Sequence, residues 1–239
     1  MTDIGLISSG QRVIEIETDA LVKLRVSLDQ SFVKAARLIL AAKGKVVVSG
    51  IGKSGHIARK IAGTFSSTGT PSHFVHPAEA SHGDLGTMAI GDILIVISNS
   101  GETEELANII AYSRRFSIPL IAITSRPGST LAEQADVSLI LPDSPEACET
   151  GVVPTTSTTM TLALGDALAI ALMKHRDFTP DQFRTFHPGG RLGARLLSVS
   201  ELMHREFPLI RGDIPMTDAL LAMTGAGFGV VGVVNSAGG

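Results

Sequence analysis

Three hydroxyls and an amide crowd into Ser98-Asn99-Ser100-Gly101-Glu102-Thr103. The segment follows the apolar run Leu94-Ile95-Val96-Ile97, so it falls where a buried strand turns into a helix. A helix N-terminus offers unpaired N–H groups and the positive end of its dipole, and short hydroxyl side chains complete a cradle for a phosphate. Capping such a helix takes one of these side chains. Three exceed that need, so the segment reads as a phosphate loop that works without a lysine. A second turn, Gly50-Ile51-Gly52-Lys53-Ser54-Gly55, spells the G-x-G-x-x-G of dinucleotide-binding proteins after the run Val46-Val47-Val48. The next strand-like segment, His73-Phe74-Val75-His76, ends in histidine and proline instead of the acidic ribose ligand. Val47 stands where a P-loop needs its first glycine. These glycines are expected to let the backbone approach a small ligand, with Lys53 reaching in from the turn.

His73, His76 and His82 cluster with Glu79 and Asp84, a density that suits either a metal site or contacts to sugar hydroxyls. Of the three histidines, His76 and His82 sit best in the loop beyond the strand end. Glu102, Glu104 and Glu105 open a helix, where acidic residues favour the dipole whatever the function. Glu146 and Glu149 follow the last apolar run, where a carboxylate has less structural reason to be. A carboxyl group at an apolar strand end is expected to have its pKa raised towards neutrality, as a general base needs. His187 lies in the turn Phe186-His187-Pro188-Gly189-Gly190.

The elements that must position these residues are legible. Residues 10 to 43 read as two helices, with Ile14, Leu21, Leu24 and Leu28 on one stripe and Phe32, Val33, Ala36 and Leu40 on the next. Short apolar runs then alternate with helical segments: the two named above, Leu120-Ile121-Ala122-Ile123, and Val137–Leu141. Strands apolar at every position are buried on both faces, as in a parallel sheet covered by helices. The fold class expected is a doubly wound α/β sandwich with a mostly parallel sheet. Turns at the carboxyl ends of its strands converge on one crevice, the place where open α/β sheets bind ligands. A long helix opening at Thr156–Thr159 closes this domain. The composition shifts after Leu197, which divides the chain into residues 1–197 and a segment 198–239 of marginal size.

Composition narrows the function classes. The 239 residues are 44% hydrophobic and 18% charged with a net charge of −3, and no basic face or polybasic run points to nucleic acid or a membrane surface. No run reaches the roughly 18 apolar residues of a membrane span, and the first residues lack the charge and apolar core of a signal peptide. A single cysteine, Cys148, excludes an intrachain disulfide and suits a reducing cytoplasm.

Together these segments resemble the SIS (sugar isomerase) family. From about Gly44 to Leu197 the sequence is similar to the arabinose-5-phosphate isomerases, through VVVSGIGKSGHIARK, STGTPSHFVHPAEASHGDLG, ISNSGET, PTTSTTMTLALGDALA and HPGGRLG. The piece after it resembles the first third of a tandem CBS pair, cut short. The resemblance implies interconversion of D-arabinose 5-phosphate and D-ribulose 5-phosphate, a step towards the Kdo sugar of lipopolysaccharide. It implies Lys53, Glu105, Glu146 and His187 as the catalytic set. Ser98, Asn99, Ser100 and Thr103 fall to the phosphate, and Ser49, Gly69, Thr70 and His82 to the substrate. His76 matches a position able to bind zinc as an inhibitor, with no cofactor required. Partners expected are a sugar phosphate and further copies of the chain, as a dimer or tetramer with sites at subunit boundaries. Either Glu146 or Glu105 is the C2 base, Lys53 holds the oxyanion, and His187 opens the ring or shuttles protons. The rival readings are a non-catalytic sugar-phosphate sensor, a nicotinamide enzyme built on Gly50–Gly55, and an isomerase of another sugar phosphate.

Overall fold

The computed structural model describes residues 3–148, 150–186, 199–204 and 206–235. The chain divides into two compact units, residues 1–187 and 188–239.

In the first unit the apolar runs form five strands, Val46–Gly50 (β1), Ser72–Val75 (β2), Ile93–Ile97 (β3), Leu120–Thr124 (β4) and Val137–Ile140 (β5). They pair in parallel in the order β2-β1-β3-β4-β5. Every residue of β1, β3 and β4 is buried, as their unbroken apolar character requires. The helices are Asp3–Ser27 (α1), Gln30–Ala41 (α2), Gly52–Ser67 (α3), Pro77–Ala80 (α4), Ala107–Arg115 (α5), Thr130–Gln134 (α6), Thr156–His175 (α7) and Pro180–Phe186 (α8).

Alternate strand residues face opposite sides of a sheet, and each side here has its own core. Val46, Val48, Ile95 and Ile121 pack with Ile61 and Phe65 of α3 and Leu164 and Leu168 of α7, joined by Ala20 and Leu24 of α1. Val47, Leu94, Val96 and Leu120 pack with Ile109 and Ile110 of α5 and Leu131 of α6. The sheet order reverses between β1 and β3, so the carboxyl ends of these two strands flank the topological switch point.

Most of the expected stripe residues of the lead-in helices pack against the core: Leu24 is buried, and Leu21, Phe32, Ala36 and Leu40 are partly buried against it. α1 begins at Asp3, well before residue 10, and its buried residues are Ala20 and Leu24, while Ile14 is 67% exposed and Leu28 is exposed too. In α2 the buried positions are Ala35 and Ile39. Asp29 separates the helices by accepting the Ser31 N–H at 2.7 Å as the cap of α2. Among the described residues α7 alone is long and apolar enough to cross a bilayer, and half of its most apolar window is buried inside the protein. Core packing accounts for that hydropathy.

The second unit holds a helical turn at Val199–Leu202, strands Leu209–Arg211 and Gly232–Val234 paired in parallel, and between them the helix Met216–Ala226. That helix has no buried residue, and Leu221 is 71% exposed. So small a unit buries too little apolar surface to be more than marginal.

Gly165 marks a close approach of α7 to α3. A Cβ there would lie 2.5 Å from both Cγ1 and Cδ1 of the fully buried Ile61. Gly165→Ala gains about 1 kcal/mol of helix propensity but overpacks a core contact, which costs about 1–3 kcal/mol. The expected result is a lower urea midpoint with an unchanged slope. Adding Ile61→Val, which removes Cδ1, should recover part of the loss.

Candidate active site at the carboxyl edge of the sheet

The edge is built from the glycines of the first turn. A Cβ on Gly55 would lie 2.7 Å from the Gly50 carbonyl oxygen, and one on Gly50 would lie 3.1 Å from the carbonyl oxygens of Ser54 and Ile97. The space at Gly50 and Gly55 is therefore filled by the chain itself, with α3 pressed onto the end of β1, whereas Gly52, at φ +57°, faces open space. At Gly50 and Gly55 the missing Cβ makes room for α3, and Gly52 leaves the open backbone that approach of a ligand would need. Ser49, fully buried one residue earlier, donates its hydroxyl to the Val75 carbonyl at 2.8 Å and ties β1 to β2. Its Oγ donor is thereby committed to the sheet.

Lys53 stands in the first turn of α3, exposed, on the wall of a cleft of about 200 Å³. Asn99 from the second turn lines the same cleft, and the far wall is Ser157, Thr158 and Thr161 of α7. These α7 hydroxyls were not singled out from sequence. Their density in PTTSTTMT was the available signal.

Glu146 reaches this wall through Ser157. Its carboxylate accepts the Thr155 N–H at 2.7 Å, the Thr155 hydroxyl at 3.1 Å, the Ser157 N–H at 3.3 Å and the Ser157 hydroxyl. It thus does the work of an N-cap for α7, since the hydroxyl of the cap residue Thr155 makes no capping bond to the helix's own N–H groups. Burial pushes this carboxyl up, but the Ser157 hydroxyl and the N–H groups of Thr155 and Ser157 outweigh it and hold the group below the usual range. The expectation of a raised pKa is overturned by these donors, all of which favour the charged form. Glu105 sits exposed in a 3-10 turn, Glu104–Leu106, and makes no hydrogen bond or ion pair among the described residues. That turn also corrects the helix expected from Glu102, since α5 begins only at Ala107.

The Ser98–Thr103 loop is held from within and from outside. Ser98, 3% exposed, accepts the Gly101 N–H at 3.0 Å and pairs with the Thr103 hydroxyl at 2.8 Å. Ser100 accepts the Glu102 N–H at 3.2 Å. The Asn99 carbonyl accepts the Thr124 hydroxyl and both the N–H and hydroxyl of Ser125 at 2.8–3.1 Å. Among the described residues the N–H groups of Asn99, Ser100 and Thr103 carry no hydrogen bond. Donors left open in a fixed loop are what an incoming phosphate requires.

His76 follows β2 at the same edge and caps α4, its Nδ1 accepting the Ala78 N–H at 3.2 Å. Only Nε2 is left to a metal, and among the described residues no three of His, Cys, Asp and Glu come together to hold one. The histidine cluster is thus dispersed within this chain and falls short of a four-ligand zinc site. His73 lies in β2 itself, its ring held below the usual value by burial and by the Lys45 charge against Asp92. His82 is exposed beyond α4, beside Ser81, which accepts the Asn108 amide at 2.9 Å.

Gly69 and Thr70 lie elsewhere. They precede β2 at the amino edge of the sheet, and the 16 residues of α3 separate them from Lys53 by roughly 24 Å of helix rise. Gly69 is covered by Phe178, whose Cδ2 would lie 2.5 Å from an added Cβ. The structure therefore brings Lys53, Asn99 and, through Ser157, Glu146 together but leaves Gly69 and Thr70 outside their cleft. His187 and Glu149 fall outside the described residues.

Comparison with known proteins bears on the family and the fold. The model of the SIS domain family matches residues 39–171. Arabinose 5-phosphate isomerase KdsD of Escherichia coli K12 is 49% identical over 225 residues, covering 93% of this chain and 69% of the relative. The enzyme of the same name from Pseudomonas aeruginosa is 47% identical over 239 residues, covering 99% of this chain and 73% of the relative. An Escherichia coli CFT073 protein solved in complex with arabinose 5-phosphate superposes with a TM-score of 0.76 at 41% identity, covering 79% of this chain and 100% of the other. A family model spanning more than half of the residues, and relatives nearly half identical along almost the whole length, make this chain a member of the SIS-domain family.

Proposed function

We propose that the chain is an aldose–ketose isomerase that interconverts D-arabinose 5-phosphate and D-ribulose 5-phosphate through an enediolate. The observation that carries the reading is the convergence of Lys53, the Asn99 end of the phosphate loop and the Glu146–Ser157 pair on one cleft. The relatives named arabinose 5-phosphate isomerase, and the neighbour solved with arabinose 5-phosphate, supply the substrate.

A carboxylate removes the C2 proton of the aldose, and the electrons flow to the C1 carbonyl oxygen. A proton then passes between O2 and O1, and C1 is reprotonated to give the ketose. Glu146 is better placed than Glu105 for the first step, because its partner Ser157 lines the cleft with Lys53. A carboxyl held below the usual range is ionised at neutral pH, hence ready to accept a proton, although each donor it keeps lowers its basicity. The Lys53 ammonium faces the developing oxyanion and stabilises it in a site partly shielded from water. His187 is assigned ring opening or proton shuttling, and Gly69, Thr70 and His82 substrate contacts that a second copy of the chain completes in a cytoplasmic homo-oligomer. Residues 198–239 belong to a CBS segment in this reading. No cofactor is assigned, and zinc at His76 acts as an inhibitor that draws its remaining ligands from outside the described residues.

Ser100→Ala should weaken the phosphorylated substrate and inorganic phosphate by about 1–3 kcal/mol, the value of a hydrogen bond to a charged group. Unchanged KM and unchanged phosphate inhibition would remove the loop from the site. Lys53→Ala and Glu146→Gln should lower kcat far more than they raise KM. Ser157→Ala removes a donor that favours the ionised Glu146, so its pKa rises and the acid limb of the kcat profile moves to higher pH. An acid limb that stays in place would assign the base elsewhere. Enzyme treated with EDTA should retain full turnover and lose it on addition of zinc; activity abolished by EDTA and restored by zinc would reverse that assignment.

A further inference from the structure

Glu102 places an exposed carboxylate inside an anion-binding loop, where like charges a few ångströms apart repel even when water screens them. Glu102 follows Gly101 in the phosphate loop, and the structure shows where its charge goes. One carboxylate oxygen accepts the Thr130 N–H at 2.8 Å and the other accepts the Thr130 hydroxyl at 2.7 Å. Thr130 is the first residue of α6, so the carboxylate lies on that helix's opening turn rather than on the helix that follows the loop. Glu104 and Glu105, two and three residues on, make no such bond among the described residues.

The same stretch of α6 grips the loop twice more. The Leu131 N–H donates to the Gly101 carbonyl at 3.1 Å. Gly101 has φ +70°, and a Cβ on it would lie 2.0 Å from Ser129 Oγ. Behind the loop, a cavity of about 400 Å³ is lined by Glu102, Thr103, Thr130 and Leu131, so the loop is not backed by solid packing there. The Glu102–Thr130 clasp spans that gap.

We infer that Glu102 is a positioning residue for phosphate binding: by clasping Thr130 it fixes the second half of the loop on α6 and directs its own charge away from the anion. The inference rests on the reading of Ser98–Thr103 as the phosphate loop. Glu102 touches no substrate in this arrangement and contributes nothing to proton transfer. The Thr130 hydroxyl and then the Thr130 N–H hold its carboxyl below the usual range, against desolvation, as a clasp that favours the ionised form does.

The test uses the full chain and inorganic phosphate as well as the sugar phosphate. Glu102→Ala is expected to raise KM and the phosphate inhibition constant about tenfold, with kcat within about twofold, because the interaction lost acts on binding alone. Glu102→Gln keeps one acceptor for the Thr130 N–H, and the hydroxyl can turn to meet the amide; it should stay within about threefold of wild type. Thr130→Val, which keeps the N–H and the shape, should fall between them, and combining it with Glu102→Ala should add little, as for two members of one contact. Glu104→Ala is the control and should change nothing. Phosphate-dependent thermal shift reads binding without turnover. Wild type that gains no thermal stability from phosphate would overturn the phosphate-loop reading itself. Wild type and Glu102→Ala that gain equally would overturn only the role of Glu102, as would a loss of kcat with phosphate inhibition unchanged.

Discussion

The approach of α3 to β1 is the contact on which the rest of the site depends. With 2.7 Å between the Gly50 carbonyl oxygen and any Cβ at position 55, no other residue pair lets the helix start so close to its strand. That closeness sets Lys53 within the first turn, over the switch point, while Ser54 and Ile57 of the same helix floor the cleft. It also fixes the direction in which α3 leaves the sheet. α3 in turn meets α7 at Gly165 with equally little room, so two glycine contacts, one to β1 near the start of α3 and one to α7 near its middle, set the spacing of the two walls of the cleft. Backbone contact fixes where the Cα of Lys53 stands, and a catalytic lysine and carboxylate tolerate little displacement of the backbone that carries them.

Glu146 carries two obligations. As the cap of α7 it neutralises donors at the start of a 20-residue helix that forms much of one core. As a base it must release part of that hydrogen bonding to reach a substrate proton. The depressed pKa is the electrostatic trace of the first obligation. Stability linked to it is present above the ordinary carboxyl pKa of about 4.3 and is lost as pH falls through the lower folded value. At neutral pH, therefore, the same charge serves the fold and the chemistry, and Ser157 mediates between them.

Much of this was legible in the sequence, for physical reasons that differ by element. β1, β3 and β4 announced themselves because burial on both faces leaves no polar position. The convergence of the Gly50 and Ser98 turns followed from parallel topology alone. In the Gly50–Gly55 turn, nothing local tells which missing Cβ makes room for the next helix, as at Gly50 and Gly55, and which leaves open space, as at Gly52. Glu102 and Glu146 were read through neighbours in sequence, whereas their partners Thr130 and Ser157 lie 28 and 11 residues away. Ile14 fitted a helical stripe, but only tertiary packing decides which part of α1 is covered. Gly69 and Thr70 illustrate the converse: a family match assigns them to the substrate, and the connectivity of α3 carries them to the far edge of the sheet.

The two cores divide the cleft between them. α3 and α7, which carry Lys53 and Ser157, hang from the core on one side of the sheet. α6, which holds Gly101 and Glu102, hangs from the other, as does Leu106 just after the loop. The crevice is therefore a seam between two independently packed halves, one bearing the chemistry and one bearing the anion grip, hinged on the ends of β1 and β3. Substitutions in one core can retune one half while leaving the other in register. A scaffold divided in this way can keep its hold on the phosphate while the sugar it acts on, or the reaction itself, changes.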